Sequence, residues 1–207
     1  MNLDAMPHTF KYICTAAMTA LSMSLAGCNS PASPSIEEAP LSGATIGGPF
    51  ELTGTDGRTV RWSDFDGQYR IMYFGYAYCP DVCPTDVQRM SQGLRQFEQA
   101  YPGLGAKVQP IFITIDPERD DRAVVAQFVA NFHPRLIGLT GTPEQIKAAA
   151  DAFRVFYSKG ETPESGNYLM EHSAITYLFG PDGQPIATLP TDLGADAVAA
   201  ELARWVR

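Results

Sequence analysis

The chain has 207 residues, 45% hydrophobic and 18% charged, with a formal net charge of −8. That length and apolar content suit one globular domain with a real core plus an N-terminal extra. The acidic balance and the lack of any basic run argue against a nucleic-acid partner and suit cations or basic proteins.

Residues 1–27 read as an export signal. Lys11 precedes a moderately apolar stretch, Ile13 to Ala26. It is shorter than the roughly 20 residues of a membrane span and fits the apolar region of a secretory signal. It ends in Leu25-Ala26-Gly27-Cys28, which resembles a bacterial lipoprotein signal. Small residues before the cut fit the peptidase, and the Cys28 thiol would accept the lipid. The expected location is therefore the extracytoplasmic face of a bacterial cell envelope, with a lipid anchor in the membrane. Residues 28–49, rich in Ser, Pro, Gly and Ala, read as a flexible tether. The folded domain is expected over 50–207.

Phe50-Glu51-Leu52 and Thr59-Val60-Arg61-Trp62 flank Thr55-Asp56-Gly57-Arg58, a hairpin signal. Tyr69 to Tyr76 reads as a buried strand. Thr85 to Tyr101 reads as a helix, with Pro84 near its first position and Val87, Met90, Leu94 and Phe97 at helical spacing. A strand follows over Lys107 to Ile115, a helix over Arg122 to Phe132 and a short strand over Leu136 to Leu139. Thr142-Pro143-Glu144-Gln145 is a helix start. Ser173 to Phe179 and Gln184 to Leu189 straddle a turn at Gly180-Pro181-Asp182-Gly183, and Ala195 to Val206 closes the chain as an amphipathic helix. The order predicts an α/β fold with a mixed sheet. It looks like the thioredoxin fold with extra N-terminal strands and an inserted strand-helix element.

The chemistry concentrates at Tyr78-Cys79-Pro80-Asp81-Val82-Cys83-Pro84-Thr85, between a strand and a helix. If Cys14 leaves with the signal and Cys28 carries lipid, Cys79 and Cys83 are the remaining free thiols. A helix start favours thiolate over thiol. Four helical residues would set the two Cα atoms about 6 Å apart, within reach of a disulfide. Outside the cytoplasm such a pair can be oxidised. Thioredoxin-type reductants use Cys-x-x-Cys and a cis-Pro facing the pair. This loop has one more residue, and Leu169 to Leu178 has no Pro but contains His172. In a thioredoxin fold His172 would face the thiols. Two thiolates and an imidazole suit Cu(I), whereas structural zinc usually takes four protein ligands. His133, in Phe132-His133-Pro134, reads as a solvent-side cap at a helix end. Asp116 ends a strand at the sheet edge that carries sites in parallel α/β folds; it could orient a partner, stand behind the ligands, or belong to a solvated turn. A peroxidatic cysteine would want Thr three residues earlier, where Tyr76 stands.

Phe74 to Thr85, then Asp116-Pro117-Glu118-Arg119-Asp120, then Glu171-His172-Ser173 together resemble the Sco/SenC family of copper-binding proteins, over about Phe50 to the C-terminus. Two departures stand out: Glu171 replaces the family's usual Asp, and a lipoprotein-type signal replaces the transmembrane helix of many members. The resemblance implies a thioredoxin-like fold and copper as cofactor, with Cu(I) expected and Cu(II) left open. Cys79, Cys83 and His172 would be the ligands. It also implies a chaperone that assembles the binuclear copper A centre of cytochrome c oxidase, with the copper A subunit and copper-donor proteins as partners. The alternative is enzymatic. In it Cys79 and Cys83 form the redox pair of a thiol-disulfide reductase that keeps the oxidase cysteines reduced.

Overall fold

The computed structural model describes residues 34–161 and 168–207. The signal, Cys14, Cys28 and the proposed lipidation motif lie outside the described residues. No helix among the described residues is long and apolar enough to cross a membrane.

Among the described residues nine strands and five α-helices follow in chain order. The strands are β1 (Glu51–Gly54), β2 (Thr59–Arg61), β3 (Tyr69–Gly75), β4 (Val108–Thr114), β5 (Ile137–Thr140), β6 (Tyr157–Lys159), β7 (Met170–His172), β8 (Thr176–Phe179) and β9 (Pro185–Thr188). The helices are α1 (Val82–Ala100), α2 (Pro102–Gly105), α3 (Arg122–Val129), α4 (Pro143–Ala152) and α5 (Ala195–Trp205). Seven strands form one sheet in the order β2-β1-β5-β4-β3-β8-β9. Strands β3, β4 and β5 are parallel, while β8 runs antiparallel to β3 and β9 antiparallel to β8. The β9-β8-β3-β4 segment, with α1 after β3 and α5 after β9, is a thioredoxin-like core. The β1-β2 hairpin is the N-terminal addition, and β5 with α4 is the insertion.

Strand β3 is buried along its whole length, as a strand covered on both faces must be. Its one charge, Arg70, is paired through the ends of its guanidinium: it donates to the Gly180 carbonyl at 2.9 Å, pairs with Asp66 at 2.8 Å and lies over the Trp62 ring, while its buried Nε has no partner. Helix α4 starts as its sequence predicts, with the Thr142 hydroxyl accepting from the Gln145 N–H and the Gln145 side chain returning to the Thr142 N–H. The turn between β1 and β2 places Gly57 at φ +83°, a conformation that costs glycine little.

Four expectations change. Helix α1 begins at Val82, three residues earlier than the spacing predicts, because Pro84 is tolerated anywhere in a first turn. The tether does not reach residue 49. Ala39 is buried, and the Leu41 N–H donates to the Ile186 carbonyl at 2.9 Å, so apolar residues dock this coil on the domain. The stretch Ser173–Ile175 is not strand; β7 ends at His172 and pairs instead with β6 in a separate two-stranded sheet. Finally, His133 is no solvent-side cap: it is 3% exposed, with Nε2 3.3 Å from a Glu98 carboxylate oxygen.

Candidate functional site

Sheet topology decides where the distant residues meet. Because β3 and β4 are parallel, the segments leaving their C-terminal ends, which begin at Tyr76 and Ile115, emerge at one edge. Strand β8 is antiparallel and pairs Thr176 with Tyr73. The chain entering β8 therefore arrives at that same edge, carrying His172.

Cys83 is the second residue of α1 and fully buried; Cys79 lies just outside the helix and is 8% exposed. The first N–H groups of a helix have no partner within it. Here the Cys83 N–H donates to Cys79 Sγ at 3.3 Å. The Cys83 thiol, followed by His172 and the amides of Asp81 and Cys83, holds the Cys79 thiol far below the usual thiol range against the opposing effect of burial. The Cys83 thiol is pushed up, by its neighbour Cys79 and then by burial. The pair is thus asymmetric: the slightly exposed Cys79 favours thiolate and the fully buried Cys83 keeps its proton, both free of a disulfide. Close approach of Cys83 to β3 requires Gly75, where a Cβ would lie 3.1 Å from Cys83 Sγ and 2.7 Å from the Tyr73 ring.

His172 Nε2 lies 3.2 Å from Cys83 Sγ. Its Nδ1 is 3.2 Å from the Ser173 carbonyl oxygen, which can only accept, so Nδ1 carries a proton while Nε2 faces the thiols. The rings of Tyr73 and Tyr76 meet the imidazole edge-on at 6.4 and 6.0 Å. Burial pushes the Tyr76 phenol up to about 12, so it stays neutral. The imidazole and both thiols are thus adjacent. As the side chains stand, no group of three or more His, Cys, Asp or Glu residues among the described residues is drawn tightly enough to hold a metal ion.

Asp116 is 2% exposed, which rules out both the solvated turn and direct partner contact. Its carboxylate accepts from Arg119 Nε at 2.6 Å and from the Tyr168 hydroxyl at 2.8 Å. Arg119 also donates to the Tyr168 carbonyl at 2.9 Å and stacks on that ring at 3.5 Å. The β4–α3 loop therefore clamps the residues entering β7. Asp120 steadies the other side: one carboxylate oxygen accepts from the Ala77 N–H and the Thr114 hydroxyl, each at 2.7 Å.

Sequence reading missed the Tyr73–Tyr76 frame and the Tyr168 clamp. The signal was present: Tyr168, Met170 and His172 alternate with exposed Leu169 and Glu171, the period of a half-buried strand. An apolar residue on the outer face hid it.

A family model described as SCO1/SenC matches residues 38–207. The human mitochondrial protein SCO2 homolog is 47% identical over 141 residues, 68% of this chain and 52% of that protein. The chain spans about half the length of the curated relatives it matches. Among solved structures, Bradyrhizobium japonicum ScoI with copper bound superposes with a TM-score of 0.70 at 36% identity, covering 78% of this chain and 99% of that one. Yeast Sco1 with copper bound gives a TM-score of 0.71 at 33% identity, covering 78% and 88%. A match running from the docked N-terminal coil to the last residue means that this chain belongs to the SCO1/SenC family.

Proposed function

We propose that this protein is a copper chaperone that carries copper on Cys79, Cys83 and His172 and delivers it to the copper A subunit of cytochrome c oxidase during assembly. The observation that carries the reading is the His172 imidazole, its Nε2 turned to Cys83 Sγ at 3.2 Å with Cys79 alongside. Soft sulfur with one imidazole suits Cu(I) better than harder ions. To take up the ion, Cys79 gives up its hydrogen bond from the Cys83 amide and Cys83 releases its proton. Delivery is ligand exchange: thiolates of the recipient replace Cys79 and then Cys83 while the ion stays coordinated. The copper bound in the Bradyrhizobium and yeast relatives supports this choice of metal. The Leu25-Ala26-Gly27-Cys28 motif supports lipid anchoring at Cys28 on a bacterial envelope, although the curated relatives matched are described as mitochondrial. Asp116 acts behind the ligands by holding the strand that carries His172.

The asymmetric dithiol favours a second reading. The Cys79 thiolate would attack a disulfide of the oxidase subunit, forming a mixed disulfide and releasing one target thiol. Cys83 would then resolve it, leaving the target reduced and a Cys79–Cys83 disulfide. One experiment separates the two: Cu(I) titration of the reduced full-length protein, beside disulfide exchange with a target peptide, for wild type and His172→Ala. The chaperone reading expects one bound copper per chain, weakened by His172→Ala with exchange retained. Failure of the reduced protein to take copper would leave only the reductase.

A further inference from the structure

Strand β7 carries a second soft donor. Side chains two apart on a strand share a face, and Tyr168, Met170 and His172 form such a series. Its two ends are fixed by contacts: Tyr168 on Asp116 and Arg119, His172 on Cys83. Met170 lies between them, half-buried against the core. Its backbone amide lies against the Tyr76 phenol. Met170 lines a cavity of about 650 Å³ together with Tyr76, Cys79, Pro80, Val82 and Leu169. That cavity is where Cys79, the more exposed thiol, opens outward. Asp81, Glu161 and Glu171 stand on its walls, so the approach is acidic as well as sulfur-lined and draws cations.

We propose that the Met170 thioether is a third sulfur donor for Cu(I), engaging the ion at the mouth of this cavity beside Cys79. The inference rests on the copper reading above and adds to it. A thioether is soft, neutral and proton-free, so it selects Cu(I) over harder ions and over Cu(II). It needs no deprotonation before binding. A packing role alone would be served equally by leucine, which conserves volume.

The test uses the reduced full-length protein with selenomethionine in place of methionine, loaded with Cu(I), and reads copper and selenium X-ray absorption. The expected wild-type spectrum shows copper with two sulfurs, one selenium and one nitrogen. Met170→Leu should lose the copper–selenium scattering, leaving two sulfurs and one nitrogen. Its Cu(I) affinity should fall about tenfold, the low end for a group adjoining a metal centre, with Cu(II) affinity unchanged. Copper bound by two sulfurs and one nitrogen in both proteins, with no selenium neighbour, would overturn the role of Met170 and leave the chaperone standing. A reduced protein that binds no copper would sink both.

Discussion

The two ends of helix α1 each hold a histidine, and the contrast between them separates chemistry from architecture. Cys83 and Glu98 are about 22 Å apart along the helix. At the far end His133 is saturated: Nδ1 accepts from the Arg135 N–H at 3.2 Å and Nε2 faces Glu98, which also pairs with Arg135. Burial pulls its pKa down, keeping the ring neutral inside the domain. At the near end His172 spends only Nδ1 on the backbone and turns Nε2 to a thiol. Both rings are largely shielded from water. What differs is whether the second nitrogen faces a fixed partner or one that can exchange a proton for a metal ion.

The sharpest way to break this contrast is to remove the thiol. Cys83→Ser should weaken copper binding by about a hundredfold or more, at or beyond the upper range for lost metal-site groups, measured by competition with a chromophoric Cu(I) chelator. Wild-type affinity in that variant would place the ion elsewhere. The histidine pair comes next. His133→Ala should cost about 2 kcal/mol in urea unfolding, because it leaves Glu98 and the Arg135 amide short of partners, while copper affinity holds. His172→Ala should show the reverse: copper affinity down about tenfold, with stability changed by less than about 1 kcal/mol. Equal effects of the two changes on copper would erase the distinction.

The dithiol gives a pH test. The Cys79 thiol is lowered and the Cys83 thiol raised. Alkylation should therefore fall on Cys79 and persist as pH drops to about 5, where an ordinary thiol of pKa about 8.5 has almost no thiolate. Mass spectrometry of labelled peptides checks this, and labelling that dies away near the ordinary value would remove the asymmetry. The smallest effect concerns Asp86, which accepts from the Tyr73 hydroxyl at 3.2 Å beneath the site. Burial raises its pKa. The folded state then binds more protons than the unfolded chain, so stability is fullest below the ordinary carboxylate range and declines as pH rises through the raised value. Asp86→Asn should flatten that decline and gain under about 1 kcal/mol at neutral pH. An unchanged pH profile would show that Asp86 carries no strain.

Much of this was legible in the residues. The continuous apolar run of β3, the Thr142 capping box and the Cys79–Cys83 spacing each have a local physical cause, so local sequence predicts them. The misreadings share the opposite origin. Nothing near His133 in sequence announces Glu98, and nothing near Asp116 announces Tyr168, 52 residues away. The three-residue strand β6 is also too short for periodicity to fix, and exposed Leu169 masks the alternation that leads into β7.

The sequence by itself determined the candidate residues of the site: two cysteines at a helix start and a histidine before a strand, because residue type and local backbone preference are written residue by residue. Only the tertiary structure decided that these side chains meet. The antiparallel insertion of β8 beside β3 brings His172 to the thiol edge, and Asp116 and Arg119 hold the strand in place. Contacts of that kind come from sheet order and packing, which no stretch of the chain encodes alone.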